Sequence, residues 1–206
     1  MNCDSIARWY RWLEYAGFGG ELERRRCAFL PDVTGARRAL VLGEGDGRFL
    51  EKFVDRSRAT RIDCVDASAR MLDLARRRAG VERVAYHHAY ARSIPLPRAG
   101  YDLVVTHFFL DCFDETAAAR LVERVADAAE PHARWLISEF RQPVAGWRAA
   151  WARAWLGVLY LFFRLSTGLR TRRLVDHRPL LASCGFRLAR EESARFGLLA
   201  SELWMR

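Results

Sequence analysis

The chain has 206 residues, is 51% hydrophobic and 12% aromatic, and carries a formal net charge of +9. This length suits one domain with a sizeable core, and the composition excludes a disordered chain. The charge permits contact with nucleic acid, anionic lipid or acidic metabolites without selecting one.

Lys52 is the single lysine among 34 basic residues, and the arginines are spread along the chain. Their densest runs, 24–26 and 76–78, fall on predicted helices, which suits solvated faces better than a binding stripe. Five widely spaced cysteines without a CxxC pair signal neither a zinc site nor a disulfide framework. The opening MNCDSIARWYRWLE lacks an apolar signal core, so a cytoplasmic protein with reduced thiols is expected.

In chain order, residues 4–30 read as an aromatic, amphipathic helix after an Asp4/Ser5 cap. Apolar runs then predict strands at 39–42, 61–65, 83–88, 101–106 and 133–139, with helices near 47–56, 69–79 and 114–129 between them. Such alternation implies a parallel sheet covered on both faces. Residues 147–169 form a second aromatic pattern of helical type, whose run AWLGVLYLFF is too short to span a bilayer. It reads as core packing, as a lid over a pocket, or as a membrane-surface helix. Two final β-like segments, GFRLAREES and FGLLASELWMR, predict an antiparallel hairpin. The expected organisation is one domain over 1–206, with a helical cap at about 1–30 and a helical insertion at about 143–170.

The stretch ALVLGEGDGRFL runs a strand into Gly43, Gly45 and Gly47 and then into a helix. Bare backbone at a helix N-terminus suits a ligand that must approach closely. The spacing is GxGxG, with Arg48 where a dinucleotide turn wants glycine and no lysine to make a phosphate-cradling loop. Asp66 ends the second strand 19 residues after Gly47, where a carboxylate can take both hydroxyls of a ribose.

The glycine turn, the D-x-S-x-x-M-L pattern from Asp66 and the strand YDLVVT resemble class I S-adenosylmethionine-dependent methyltransferases. The resemblance covers residues 38–139 well. The layout after the fifth strand is similar in outline to quinone-biosynthesis C-methyltransferases. It implies an α/β, Rossmann-like fold with a seven-stranded, mostly parallel sheet in the order 3-2-1-4-5-7-6, the last strand antiparallel, and helices on both faces. It implies S-adenosyl-L-methionine as cofactor and S-adenosyl-L-homocysteine as product, held by Gly43, Glu44, Gly45, Gly47, Asp66, Ala67, Tyr90, Ala91 and Thr106. Two positions depart from the pattern. Val41 stands where an acid often precedes the turn, and Tyr90 stands where an acid often reads adenine.

His107 is the candidate base, and Asp111, four residues on, faces the same way if HFFLD is a helical turn. Equally, His107 closes a strand and Asp111 caps the next helix. His87 and His88 are neighbours on a strand and point to opposite faces, so no metal is expected. Cys112 reads as a buried thiol. Tyr10, His107 and Phe108 are the candidate substrate contacts. Thr106-His107-Phe108-Phe109 replaces the Asn/Asp-Pro-Pro-aromatic tetrad of enzymes that methylate amide or base nitrogen, so DNA is not expected as a partner. The expected acceptor is small and hydrophobic or aromatic. The alternatives are a non-catalytic S-adenosylmethionine-binding protein and, on the basic charge, a methyltransferase of RNA. The oligomeric state is left open.

Overall fold

A computed structural model describes residues 18–57, 59–91, 93, 96, 100–141 and 174–206. The N-terminal part of the expected cap, the aromatic segment 147–169 and Tyr10 lie outside the described residues.

The described part of the cap is broken rather than one continuous helix. Gly19 takes φ +61°, α1 spans Glu21–Arg26, and a turn leads to α2, Leu30–Val33, with Pro31 in its first turn. Left-handed glycine stops a helix, and proline starts one without needing an N–H partner.

From there the alternation follows the apolar runs. β1 is Arg38–Leu42, α3 Arg48–Arg56, β2 Arg61–Asp66, α4 Ala69–Ala79, β3 Val84–His88 and β4 Tyr101–His107. After a 3-10 turn at Leu110–Cys112 come α5, Glu115–Ala128, and β5, Ala129–Phe140. α6, His177–Ser183, precedes the hairpin of β6, Arg187–Ala194, and β7, Leu199–Met205. Helix starts are fixed by short polar side chains. Ser68 Oγ accepts the Met71 N–H at 3.2 Å, and Asp114 accepts the Ala117 N–H at 2.8 Å. β5 begins four residues earlier than its apolar run suggests, because it pairs with β4 from Ala129 onward.

The strands form one sheet in the order β3-β2-β1-β4-β5-β7-β6. β7 runs antiparallel to both β5 and β6, and the other pairs are parallel. This is the expected fold. One face carries Phe29, Phe49, Phe53 and Leu72, and the other carries Leu121, Val125, Leu181 and Trp204. Strand order reverses direction at β1, with β2 on one side and β4 on the other, which opens a crevice at the carboxyl ends of β1 and β4. α1 is tied beside that crevice by two buried hydroxyls. Ser138 of β5 and Ser201 of β7 both donate to the Arg25 carbonyl, at 2.9 and 2.7 Å.

Candidate active site

The turn after β1 is built from three left-handed glycines, with φ of +67° at Gly43, +73° at Gly45 and +85° at Gly47. Their surroundings differ. A Cβ on Gly43 would fall 2.1 Å from the Phe109 ring, and one on Gly47 would fall 2.5 Å from the Ala75 backbone. Gly47 therefore lets α3 and α4 pack closely. Among the described residues a Cβ on Gly45 would meet nothing within 4 Å, so here the backbone is open to an approaching ligand.

Asp66 stands at the end of β2, beside that opening. Its Oδ2 accepts the Gly45 N–H at 3.1 Å and its Oδ1 accepts the Ser68 N–H at 2.8 Å. Each oxygen keeps a lone pair for a further donor. Burial raises its pKa, against the pull of those N–H groups. A nucleoside sugar fits this arrangement: open backbone at Gly45, and a carboxylate fixed on both sides by main chain.

The remaining candidates divide. Ala67 is half-buried, and its carbonyl meets His88 Nε2 at 3.3 Å. Tyr90 projects outward with 53% of its surface exposed, and Ala91 is buried. Thr106 is fully buried, and its Oγ1 accepts the Trp135 indole N–H at 3.0 Å, so its hydroxyl serves the core. His87 meets Asp63 at 3.0 Å, a partner distinct from that of His88. Among the described residues no cluster suits a metal ion.

Glu44 turns inward. Its Oε1 accepts the Leu50 N–H at 2.9 Å, supplying the cap that Gly47 cannot give α3. Burial pushes its carboxyl up to about 8; the Leu50 N–H and Arg26 pull it down, while Asp46 and Asp66 add to the rise. With an unfolded value near ~4.3, the folded chain holds the extra proton between about pH 4 and 8, so this contribution fades as pH rises through that window. Glu44→Gln keeps the oxygen that accepts from Leu50. It is expected to flatten the melting-temperature profile across that window and to exceed the wild type by of order 2 kcal/mol near its upper end. A variant that tracks the wild type from acid to alkaline pH contradicts this reading.

His107 and Asp111 do not meet as a helical turn would bring them. β4 ends at His107, Phe108 takes φ +52°, and a 3-10 turn follows. His107 is buried against the Phe49 ring, 4.7 Å between centroids, on the face of α3. Neither ring nitrogen has a hydrogen-bond partner among the described residues, and burial, helped by Arg26, holds its pKa well below the ordinary histidine value. Asp111 accepts the Cys112 thiol at 3.5 Å and feels His177 of α6, which packs on the opposite face. Burial pushes Asp111 up to about 6.

Three residues that sequence reading passed over complete the site. Arg26 is buried and lies 5.3 Å from the Phe108 ring centroid. Asp46, inside the turn, binds Arg48 at 2.9 Å and Arg78 at 3.2 Å, joining α3 to α4. Glu139 of β5 accepts the N–H groups of Phe109 and Leu110 at 3.0 and 2.8 Å, which fixes the segment after β4 across the sheet end. An acid near the end of an otherwise apolar strand, ISEF, is the signal that marks Glu139.

Residues 39–132 match the sequence profile of a family described as a methyltransferase domain. Solved structures share the fold. The N-methyltransferase NodS from Bradyrhizobium japonicum WM9, in complex with S-adenosylhomocysteine, superposes with a TM-score of 0.65 at 13% identity, over 89% of this chain and 87% of that one. Magnesium protoporphyrin IX methyltransferase from Synechocystis PCC 6803 gives 0.66 at 18%, over 96% and 87%. The mitomycin 7-O-methyltransferase MmcR gives 0.70 at 18%, over all of this chain but 61% of that one. No curated protein sequence matches the chain. Glycine turn, acidic strand end and sheet order together give the class I methyltransferase fold, within which residues 39–132 match a methyltransferase domain.

Proposed function

We propose that the chain transfers the methyl group of S-adenosylmethionine to a small, hydrophobic or aromatic acceptor. The observation that carries this is two pairs of rings that follow the ends of β4 and β5, one of them against the glycine turn. Phe108 lies 5.0 Å from Phe140, and Phe109 lies 5.1 Å from Phe113, between centroids. Phe108, Phe109 and Phe113 are half-buried, as pocket-lining rings are, and Phe109 touches Gly43. The mitomycin and protoporphyrin enzymes that share the fold are named for small-molecule acceptors, which agrees with this reading.

The cofactor supplies a methyl group already activated on a sulfonium. The protein's task is to align acceptor and methyl and to exclude water. In this reading Gly45 admits the nucleoside, Asp66 holds its ribose, and Ala67 and Ala91 border it, with the exposed ring of Tyr90 at the outer edge. Phe108 and its neighbours hold the acceptor, and Tyr10 is a candidate from the N-terminal segment. The reading places the protein in a reducing compartment, the cytoplasm; Cys27, Cys64, Cys112 and Cys184 carry no disulfide. Among the described residues no helix is long and apolar enough to cross a membrane.

The protein, incubated with cofactor labelled in the methyl group and with a cell extract, is expected to move label into an organic-extractable small-molecule fraction. Label in RNA or protein instead contradicts the proposed acceptor. Label in no fraction favours a protein that binds the cofactor without using it.

A further inference from the structure

We propose that Glu139, paired with Asp111, is the proton-accepting group for the acceptor, and that the acceptor presents a hydroxyl or amine N–H to it. The inference rests on the methyltransferase reading above and assigns the atom methylated, oxygen or nitrogen rather than carbon.

Glu139 is 3% exposed. One oxygen, Oε1, takes the Phe109 and Leu110 N–H groups; the other, Oε2, is buried with no hydrogen-bond partner among the described residues. A buried carboxyl oxygen left unmatched is costly, and such orphans gather where a ligand completes them. This orphan sits one residue from the turn. Phe109, whose N–H binds Glu139, is the residue whose ring lies against Gly43. The strained φ of +52° at Phe108 directs the two N–H groups onto Glu139, and strain of this kind is held at functional sites.

Asp111, on the 3-10 turn whose first N–H binds Glu139, adds a second carboxyl. Burial first, and then the Asp111 charge, push Glu139 well above the usual carboxyl range. Among the described residues the charged groups facing the pair include Glu202 of β7, which opposes ionisation of Glu139, and His177 of α6, which favours that of Asp111. Buried Glu139 and half-buried Asp111 oppose each other's ionisation, and a pair that shares one proton keeps one charge with which to accept another. His107 lies on the other face of the sheet and takes no part. The step assigned to the pair is a proton transfer. The acceptor's X–H bond breaks, an O–H bond forms on the pair, and the electron pair left on X forms the new bond to carbon. Nothing is oxidised or reduced.

The test uses the full chain saturated with S-adenosylhomocysteine. p-Cresol and benzylamine are titrated by calorimetry beside toluene, which has no donor, and the protonated-carboxyl band is followed by infrared spectroscopy. Glu139→Gln keeps the oxygen that accepts from Phe109 and Leu110 while removing the acid. In the wild type a donor-bearing probe is expected to bind about tenfold tighter than toluene. That preference and the band should both vanish in Glu139→Gln, measured at saturating S-adenosylhomocysteine. If Glu139→Gln melts early, Asp111→Asn reads the same pair: the band should titrate at lower pH once the opposing charge is gone. A band and a preference that survive in Glu139→Gln overturn the proposal. So does a wild type that shows no preference for a donor, including one that binds none of the probes. Failure of S-adenosylhomocysteine itself to bind counts instead against the cofactor reading.

Discussion

Replacing Asp66 by alanine is expected to weaken S-adenosylhomocysteine binding by about a hundredfold, corresponding to about 3 kcal/mol for two charge-assisted hydrogen bonds. The carboxylate acts twice. It fixes the turn through the Gly45 and Ser68 N–H groups, and in the proposed reading it offers the remaining lone pairs of both oxygens to ribose hydroxyls. Alanine removes both functions and releases Gly45, the open glycine of the turn. Asp66→Asn retains a single carbonyl oxygen and turns an NH2 toward one of the backbone donors, so an intermediate loss is expected. Isothermal titration of the two variants and the wild type measures this directly. An alanine variant with wild-type affinity would remove Asp66 from the ribose role.

The largest effect on stability is expected at Glu202. This carboxylate is 1% exposed in the middle of β7. Its Oε2 accepts from His177 Nε2 at 2.8 Å and from the Trp204 indole at 2.7 Å. Its Oε1 accepts from Arg178 at 3.0 and 3.1 Å and from Arg141. Burial opposes the charge, but His177, Trp204 and Arg141 outweigh it and hold the pKa below the usual range. Glu202→Ala strands these donors among buried groups and is expected to cost about 3–5 kcal/mol, read from chemical denaturation.

The pH dependence follows from the lowered pKa of Glu202. With the folded value below the unfolded one, its contribution is complete above about pH 4 and is lost as pH falls toward the folded value. Glu202→Gln should therefore shed part of the acid-side fall in melting temperature. A wild type and variant with the same acid limb would show that the buried charge contributes nothing net.

Much of this molecule is legible in its sequence because the relevant signals are local. The apolar runs of β1, β2 and β4 name a parallel sheet, and the helix over 69–79 is bounded by Ser68 and Gly80, a cap and a stop four-square with its pattern. The glycine spacing and Asp66 lie within one strand-turn-helix-strand unit, so their meeting follows from connectivity. What depends on distant partners is not legible. Spacing alone sets His107 and Asp111 on one side, but a left-handed Phe108 turns the chain after the strand and sends Asp111 toward α6. That Glu44 caps a helix is seen only once the Leu50 N–H is brought to its carboxyl. Glu139 is one acid in an apolar strand, and only pairing of β4 with β5 brings it to the backbone of Phe109 and Leu110. The helical reading of 4–30 failed at Gly19, where the left-handed φ of one glycine outweighs the amphipathic pattern around it.

The central claim is that the open glycine and Asp66 hold a sulfur nucleoside rather than a dinucleotide. Calorimetric titration of the purified chain with S-adenosylhomocysteine and, separately, with NAD tests it most directly. Saturable one-to-one binding of S-adenosylhomocysteine with no heat from NAD is the predicted result. Binding of NAD without binding of S-adenosylhomocysteine would contradict it.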